Sequence, residues 1–564
     1  MLSTDDADLP HSSAAFAVVM MGSMQLRLVS RDPPSARDRY LRIGLYLLWA
    51  ALMLFLVSRH VFWRDEVRAL NIALGGDNVV EMLRGLHGEG HPAIWYLLLR
   101  GAHAIAPVKQ VLPAVSAIVA LVAMALLVWR APFRPAILAL ILFGAFGLLE
   151  YAVVARNYGI AMLGLFALAI LYPRWRDRGV TIGLVLALLC NTNVPAAWLS
   201  ACVLLFWLVE LIGEEGLRWG RKHSLFALNA LVALAGATLC FLTIYPTVHD
   251  AAVINHPNGI TLGTIVSGIL FPAVTFWELM PPFIPETSWA AALYGALLFG
   301  TLLGLLNRPA AFLSALAALI GLLLFFSLIY PGGYRHQALF LVYLIAMHWL
   351  VTEGRGGAWP ERWRLEERTG RLIPAGQVFF VAILALQLPT SYFLVSTDLQ
   401  GYPFSRSRDL AALLERENLG AAILIADPDI YLEPLSYYAD NPTYFMRRQR
   451  FGNVVRFTRD VRRELNLDDF LTDARALQRR FRRPVVIVMG RRLDPERPFR
   501  IHEVHVWYFS GTSEQIRRFQ AATRMLARFG AAATDEFYDV YLLTDPGPPT
   551  SPPSAGASAS PRPS

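Results

Sequence analysis

Lysine is nearly missing from this chain: Lys109 and Lys222 are the only two among 564 residues, so almost all of its positive charge is arginine. Arginine suits bidentate phosphate binding, but so broad a bias more often records genome composition and selects no function. Cysteine is as scarce. Cys190, Cys202 and Cys240 lie inside apolar segments and follow no metal-ligand spacing, so neither a zinc site nor a disulfide framework is supported and they read as membrane-core residues. A convincing leader is lacking too. The apolar run Ala14 to Met21 is too short to span, follows acids and has no small-residue cleavage site, while Met20, Met21 and Met24 leave a downstream start open. Beyond Ser396 no GxGxxG or Walker pattern occurs, so no nucleotide domain is read there.

What the chain does contain is apolar surface. Hydrophobic residues make up 55% of it and the mean hydropathy is +0.43, while a bilayer-spanning helix needs roughly 20 apolar residues. This defines a multi-pass protein of the cell (inner or plasma) membrane, with membrane lipid around it. The formal charge of +8 falls in short clusters between apolar segments, as topology signals do. No nucleic-acid partner is expected.

Apolar runs predict eleven spans, near 41–62, 112–129, 135–151, 158–172, 179–192, 195–212, 225–245, 289–306, 310–330, 336–351 and 375–396. With the amino terminus inside, Arg130/Arg134, Arg174/Arg176/Arg178, Arg218/Arg221/Lys222, Arg308 and the Arg355 to Arg371 cluster all face the cytoplasm, satisfying the positive-inside rule. This requires 92–106 to lie in the interface as an amphipathic helix opening at Pro92. The layout is a cytoplasmic segment 1–40, a transmembrane domain 41–397 with a first outer loop 63–111, an extracytoplasmic domain 398–545 and a disordered Pro/Ser-rich tail 546–564. A second outer segment, about 246–288, carries His249, Asp250 and His256, whose spacing is weak support for a metal. Trp277, Trp289, Trp349 and Trp363 read mostly as interface-belt residues.

The domain after the spans alternates strand and helix signals, which points to a small α/β fold. Ala421 to Ala426 and Pro484 to Met489 read as buried strands, Ser513 to Arg528 as a helix capped by Ser513, and Asp539 to Leu543 as a final strand.

Ionisable residues gather in the outer-face loops. Asp65, Glu66, Arg68, Glu89 and His91 belong to the first, Glu150, Arg156 and Tyr158 to the second, and Arg335 with His336 to the mouth of a later span. Charge near membrane depth is costly, which makes such residues functional candidates. The bland alternative is an interfacial network that positions loops, with Arg335 and His336 as snorkelling anchors.

Phe62-Trp63-Arg64-Asp65-Glu66-Val67-Arg68-Ala69, then His91-Pro92, then Ala155-Arg156-Asn157-Tyr158, in that order and on one expected side, resemble the GT-C superfamily of polyprenyl-phosphate-sugar-dependent glycosyltransferases. The likeness is to the bacterial protein mannosyltransferase-like and aminoarabinose transferase-like members and covers about residues 41–351. It implies that Asp65 is the catalytic first-loop aspartate and Glu66 its acidic neighbour, that His91-Pro92 precedes the juxtamembrane helix, and that Arg156 and Tyr158 form the second-loop Arg-x-Tyr pattern. Many relatives carry an acid just before that pattern. Here Val154-Ala155 stand there and the nearest acid is Glu150, which puts in doubt a divalent metal shared between the loops.

The residue types suit that chemistry on their own account. An acceptor hydroxyl attacking an anomeric carbon loses a proton, which a carboxylate such as Asp65 can take. The departing polyprenyl phosphate gains charge that Arg156, Arg335, His91 or a metal would stabilise. One-step displacement would invert the anomeric centre, with a lipid, glycan or protein as acceptor. Competing readings are a transporter or flippase for a lipid-linked glycan, or a non-catalytic binder of one; transporters usually set their charges at the bilayer midplane in repeated halves, and no repeat is visible here. The charge pattern predicts that single cysteines introduced into 63–111 and into the domain after Ser396 label from the same, outer side; labelling from opposite sides refutes the topology.

Overall fold

The computed structural model describes residue 28 and residues 35–246, 261–359, 370, 372–503 and 505–544. The run Ala14 to Met21, His249, Asp250, His256, Trp363, most of the cluster after Arg355 and the tail 546–564 lie outside the described residues. The chain forms two compact units, one of residues 1–60 with 69–402, the other of residues 61–68 with 403–564.

The regular elements longer than one residue among the first unit's described residues are all helices. Eight of its helices are long and apolar enough to cross a membrane: Ala36–Arg59, Val111–Arg130, Tyr158–Trp175, Val194–Glu215, Arg221–Ile244, Ser288–Leu305, Pro309–Leu328 and Leu372–Leu399. The other three expected spans are helices too, each with its own departure. The run 135–151 divides after Phe143 at Gly144 and resumes as the π-helical turn Phe146–Glu150. Thr181–Cys190 has ten residues, half of what a bilayer requires. Tyr334–Thr352 is diluted by Arg335, His336, Gln337 and His348, yet every residue from Gln337 to Leu350 is buried, so protein rather than lipid surrounds it. Trp349, expected in the interface belt, is accordingly 1% exposed. The helix expected to open at Pro92 runs Ile94–Ile105, with Ala93 as its N-cap.

Polar side chains and small residues join these helices where the hydrophobic effect cannot. Arg42 spreads its guanidinium over the end of Val111–Arg130, donating to the carbonyls of Val128, Ala131 and Phe133 at 2.6, 3.0 and 2.5 Å, which supplies donors to carbonyls that a helix terminus leaves open. Thr181–Cys190 lies close to Arg221–Ile244: a Cβ on Gly236 would stand 2.5 Å from the Ala187 Cα, and Asn229 Oδ1 accepts the Gly183 N–H at 2.6 Å. Cys190, Cys202 and Cys240 are buried and free.

The second unit is built on a four-stranded sheet. Its strands are β1 (Ile423–Asp427), β2 (Tyr444–Phe445), β3 (Arg450–Phe451), β4 (Glu464–Asn466), β5 (Val485–Met489), β6 (Phe499–His502), β7 (Tyr508–Gly511), β8 (Thr523–Arg528) and β9 (Asp539–Leu543). The main sheet runs β1-β5-β9-β8, with β1 parallel to β5 and the other pairs antiparallel; β4-β7-β6 and β2-β3 form smaller sheets. Alternation along β1 and β5 sends Ile423, Ile425, Val485 and Ile487 into one core and Leu424, Ala426, Val486 and Val488 into another, so both faces are covered and the strands read as unbroken apolar runs. The helices Leu467–Phe481 and Ser513–Ala522 cover the first face. Leu467–Phe481 was not expected, and the expected helix Ser513 to Arg528 is shorter than read. Thr523–Arg528 is a strand paired with β9 from Thr523↔Leu543 to Arg528↔Asp539, so sheet pairing overrides the helix propensity of Arg, Met, Leu and Ala there. The cap is Thr512, not Ser513: Thr512 accepts from Gln515 N and Gln515 Oε1 accepts from Thr512 N, a reciprocal capping box.

At one end of Tyr158–Trp175 the first unit carries a buried ionic knot. Arg176 donates to Glu210 at 2.7 Å and to both Glu214 oxygens at 2.7 Å, while Tyr172 Oη and Gly356 N donate to Glu210 at 2.7 and 3.1 Å. Removing one partner leaves the other charge buried and uncompensated. Glu210→Ala is expected to destabilise the protein by about 3–5 kcal/mol, read as a lowered unfolding midpoint in detergent, whereas a change within experimental scatter would mean that the knot contributes no net stability.

Candidate functional site

The sequence candidates divide between the two units. Asp65, Glu66 and Arg68 belong to the second, and Glu89, His91, Arg156, Tyr158, Arg335 and His336 to the first.

In the first unit, residues far apart in sequence meet. Arg156 follows the π-helical turn and Asn157 caps Tyr158–Trp175, while His91 stands just before Ile94–Ile105. Arg156 Nη2 lies 2.6 Å from His91 Nε2, and Asn157 Nδ2 is 3.4 Å from His91 Nδ1. A guanidinium can only donate, so as a hydrogen bond this contact uses the Nε2 lone pair. Asn157 is tied to the Thr192 carbonyl, which fixes the pair against the turn before Val194–Glu215.

An aromatic column extends the cluster. Tyr158 packs edge-on against His91 with ring centroids 6.0 Å apart, and against His336 at 5.2 Å, while Tyr151 stacks on it at 5.9 Å and 14°. Tyr151 Oη donates to the Arg335 carbonyl at 2.6 Å, and the Arg335 guanidinium lies 3.6 Å from Glu150. Tyr330 adds a further edge contact to His336 at 5.2 Å. The result is one continuous group of two guanidiniums, two imidazoles, three phenols and a carboxylate, with Arg156 8% exposed and Tyr158 fully buried. Glu89 is half-buried, and its backbone N–H donates to the Leu86 carbonyl at 3.0 Å.

In the second unit, residues 61–68 carry the acids. Arg64–Leu74 is a helix with Asp65 and Glu66 in its first turn, where a negative charge complements the macrodipole. Glu66 is fully buried and folds back to accept the Trp63 N–H at 3.2 Å, the acidic half of a capping box. Asp65 instead keeps a third of its side chain exposed, 33%, with Arg64 Nε 4.0 Å away. The Arg68 guanidinium, expected at a donor phosphate, bonds Glu433 at 2.5 Å and the Val455 carbonyl at 2.7 Å.

The same unit buries a second charged network that the sequence did not disclose. Arg447 is wholly buried, stacks over Trp507 at 4.8 Å and bonds Asp427 at 3.2 Å and Glu503 at 2.9 Å. Burial and the nearby Glu503 push the Asp427 carboxyl up, and burial pushes Asp429 up to about 7 although the Met446 and Arg447 amides donate to it. Glu536 is pushed up to about 8, chiefly by burial, with Arg64 opposing. Among the described residues no group of three or more His, Cys, Asp and Glu is arranged to hold a metal ion.

Asn157, Tyr151, Glu433 and Glu536 were missed in the sequence. Asn157 and Tyr151 flank Arg156 and Glu150 and could have been taken with them; nothing local marks the two glutamates.

Comparison with protein-family models found no match, and comparison with curated protein sequences found none. Among solved structures the chain is similar to ArnT from Cupriavidus metallidurans bound to undecaprenyl phosphate, with a TM-score of 0.46 and 14% identity over 91% of this chain and 99% of that one. It is similar to the apo state of ArnT at 0.44 and 14%, covering 89% and 98%. Its similarity to the arabinofuranosyltransferase AftD from mycobacteria has a TM-score of 0.34 and 13% identity, over 90% of this chain and 42% of that one.

Raised carboxyl pKa values set a pH dependence. Between its ordinary 4.5 and its folded value of about 8, Glu536 binds more proton in the folded than in the unfolded chain, so its contribution to stability is present at low pH and falls as pH rises through that window. Glu536→Gln, neutral throughout, is expected to gain stability relative to the wild type from pH 5 to pH 8, measured as protection of β1 and β5 against exchange with intrinsic rates divided out. A pH-independent difference would show Glu536 already ionised at pH 5.

Proposed function

We propose that this protein is an integral membrane glycosyltransferase that moves a sugar from a polyprenyl-phosphate donor to a lipid, glycan or protein acceptor on the extracytoplasmic face. The observation that carries the reading is the contact of Arg156 with His91 at 2.6 Å, continued through Tyr158 to His336. Motifs that are weak singly, and that come from three separate parts of the chain, lie in one buried cationic and aromatic group. Such a group suits a phosphate monoester on an apolar chain: guanidiniums for the charge, aromatic faces for the first carbons.

In this reading Asp65 is the general base. The acceptor oxygen forms a bond to the anomeric carbon as the bond from that carbon to the phosphate oxygen breaks; the acceptor proton goes to Asp65 and the electron pair leaves on the polyprenyl phosphate. Attack opposite the leaving group inverts the centre. Arg156 with His91 beside it, and Arg335, stabilise the leaving phosphate, and His336 and Tyr158 shape the lipid end. Glu66 orients the turn, and Arg68 holds it rather than the phosphate.

The test is transfer of label from a radiolabelled polyprenyl-phosphate sugar, with protein amounts matched. Asp65→Asn keeps the size of the side chain but accepts no proton at neutral pH, so turnover is expected to fall by roughly 10²–10⁴-fold with binding of undecaprenyl phosphate retained. Near-normal turnover removes Asp65. Arg156→Ala is expected to weaken donor use more than Arg156→Lys, which keeps the charge and loses the fork; unchanged donor dependence in both removes Arg156. Glycolipid translocation without transfer by the wild type would replace the enzyme with a transporter.

A further inference from the structure

By its contacts, residues 61–68, the stretch that carries Asp65, belong with the carboxy-terminal residues 403–564. The seat is built from both sides of the acid. On one side Phe62 N donates to Tyr438 Oη at 2.8 Å, its carbonyl accepts from Ser407 Oγ at 3.3 Å, and its ring packs on Tyr437 at 4.7 Å. Arg64 N then donates to the fully buried Glu536 at 2.8 Å, and its guanidinium to Asp535 at 2.5 Å. On the other side Arg68 bonds Glu433 at 2.5 Å and the Val455 carbonyl at 2.7 Å, with its guanidinium 5.6 Å from the Phe457 ring centroid.

Glu433 is 1% exposed and also accepts Val455 N at 2.6 Å, so one buried carboxylate ties a helix residue of the acid-bearing segment to the loop at 455–457. These bonds bracket Asp65 one residue before and three after, which on a helix is nearly one full turn. Asp65 itself keeps 33% of its side chain exposed. The surrounding residues are gripped and the acid is presented.

We propose that the carboxy-terminal unit acts as a clasp for the Asp65 turn, with Glu433, Glu536 and Tyr438 as positioning residues. This rests on the reading of Asp65 as the base. A base must be held within a fraction of an ångström and some tens of degrees of its working geometry, and a segment seated by side chains that are themselves buried meets that demand. The inference gives the unit, which contains no nucleotide motif, a part in the reaction without a ligand of its own.

The test uses the full chain in lipid nanodiscs and has two arms. In the first, hydrogen–deuterium exchange over 61–68 is compared between the wild type and the double variant Glu433→Gln/Glu536→Ala, with β1 and β5 as internal controls. The clasp requires faster exchange over 61–68 with β1 and β5 unchanged; unchanged exchange over 61–68 overturns it. Should the double variant lose protection in β1 and β5, Tyr438→Phe, which removes one hydroxyl, decides instead: faster exchange at Phe62 and Trp63 supports the clasp and unchanged exchange overturns it. In the second arm, transfer from a polyprenyl-phosphate sugar by Glu433→Gln is expected to show kcat lowered roughly 10- to 10²-fold with KM for the donor nearly unchanged, as for a misplaced base; a change in KM alone overturns the positioning role. If the wild type transfers no sugar, the enzyme reading fails while the exchange arm still decides the clasp.

Discussion

A charge taken out of water must be met by a partner or by a row of dipoles, and this constraint shapes both units. The four buried arginines among the described residues show it: Arg42, Arg156, Arg176 and Arg447. Arg42 meets three carbonyls at a helix end, Arg176 two glutamates, Arg447 two carboxylates and an indole face, and Arg156 an imidazole. Three of these arrangements tie separate parts of the fold together. The fourth sets the Arg156 guanidinium against the His91 ring, side chains that lie far apart in the sequence.

Architecture follows from where such partners are found. Tyr158–Trp175 has the Tyr172, Arg176 and Glu210 knot at its last turns and the Arg156, Tyr158 and His91 group at its first. The knot pins one helix terminus against Val194–Glu215, and the packing between is apolar. A rigid helix with one end fixed delivers its other end, with Arg156 and Tyr158, reproducibly. The second unit repeats the logic at smaller scale: both faces of its sheet are buried, and that stable base carries Glu433, Glu536 and Tyr438 at the acid-bearing turn.

Glu66 shows how two neighbouring acids come to differ. Being third in its helix, it can reach back to the Trp63 amide; Asp65, one residue earlier and shorter, cannot make that bond and stays partly exposed. The difference in burial between the two carboxylates therefore follows from helix position.

Much of this was legible in the residues. Apolar runs alone determined that the chain crosses a membrane repeatedly and located the helices, because the cost of exposing backbone in lipid forces an apolar run into a helix. Alternation and apolar runs likewise marked β1, β5 and β9. Tertiary structure decided the rest. Thr523–Arg528 became a strand because β9 offered it an edge, and Tyr334–Thr352 became enclosed from Gln337 to Leu350 because its neighbours surrounded it. The meeting of His91 with Arg156, and of Arg68 with Glu433, joins residues 65 and 365 positions apart. No local pattern encodes such pairs, since they exist only once folding has brought distant polar groups into surroundings where nothing else can satisfy them.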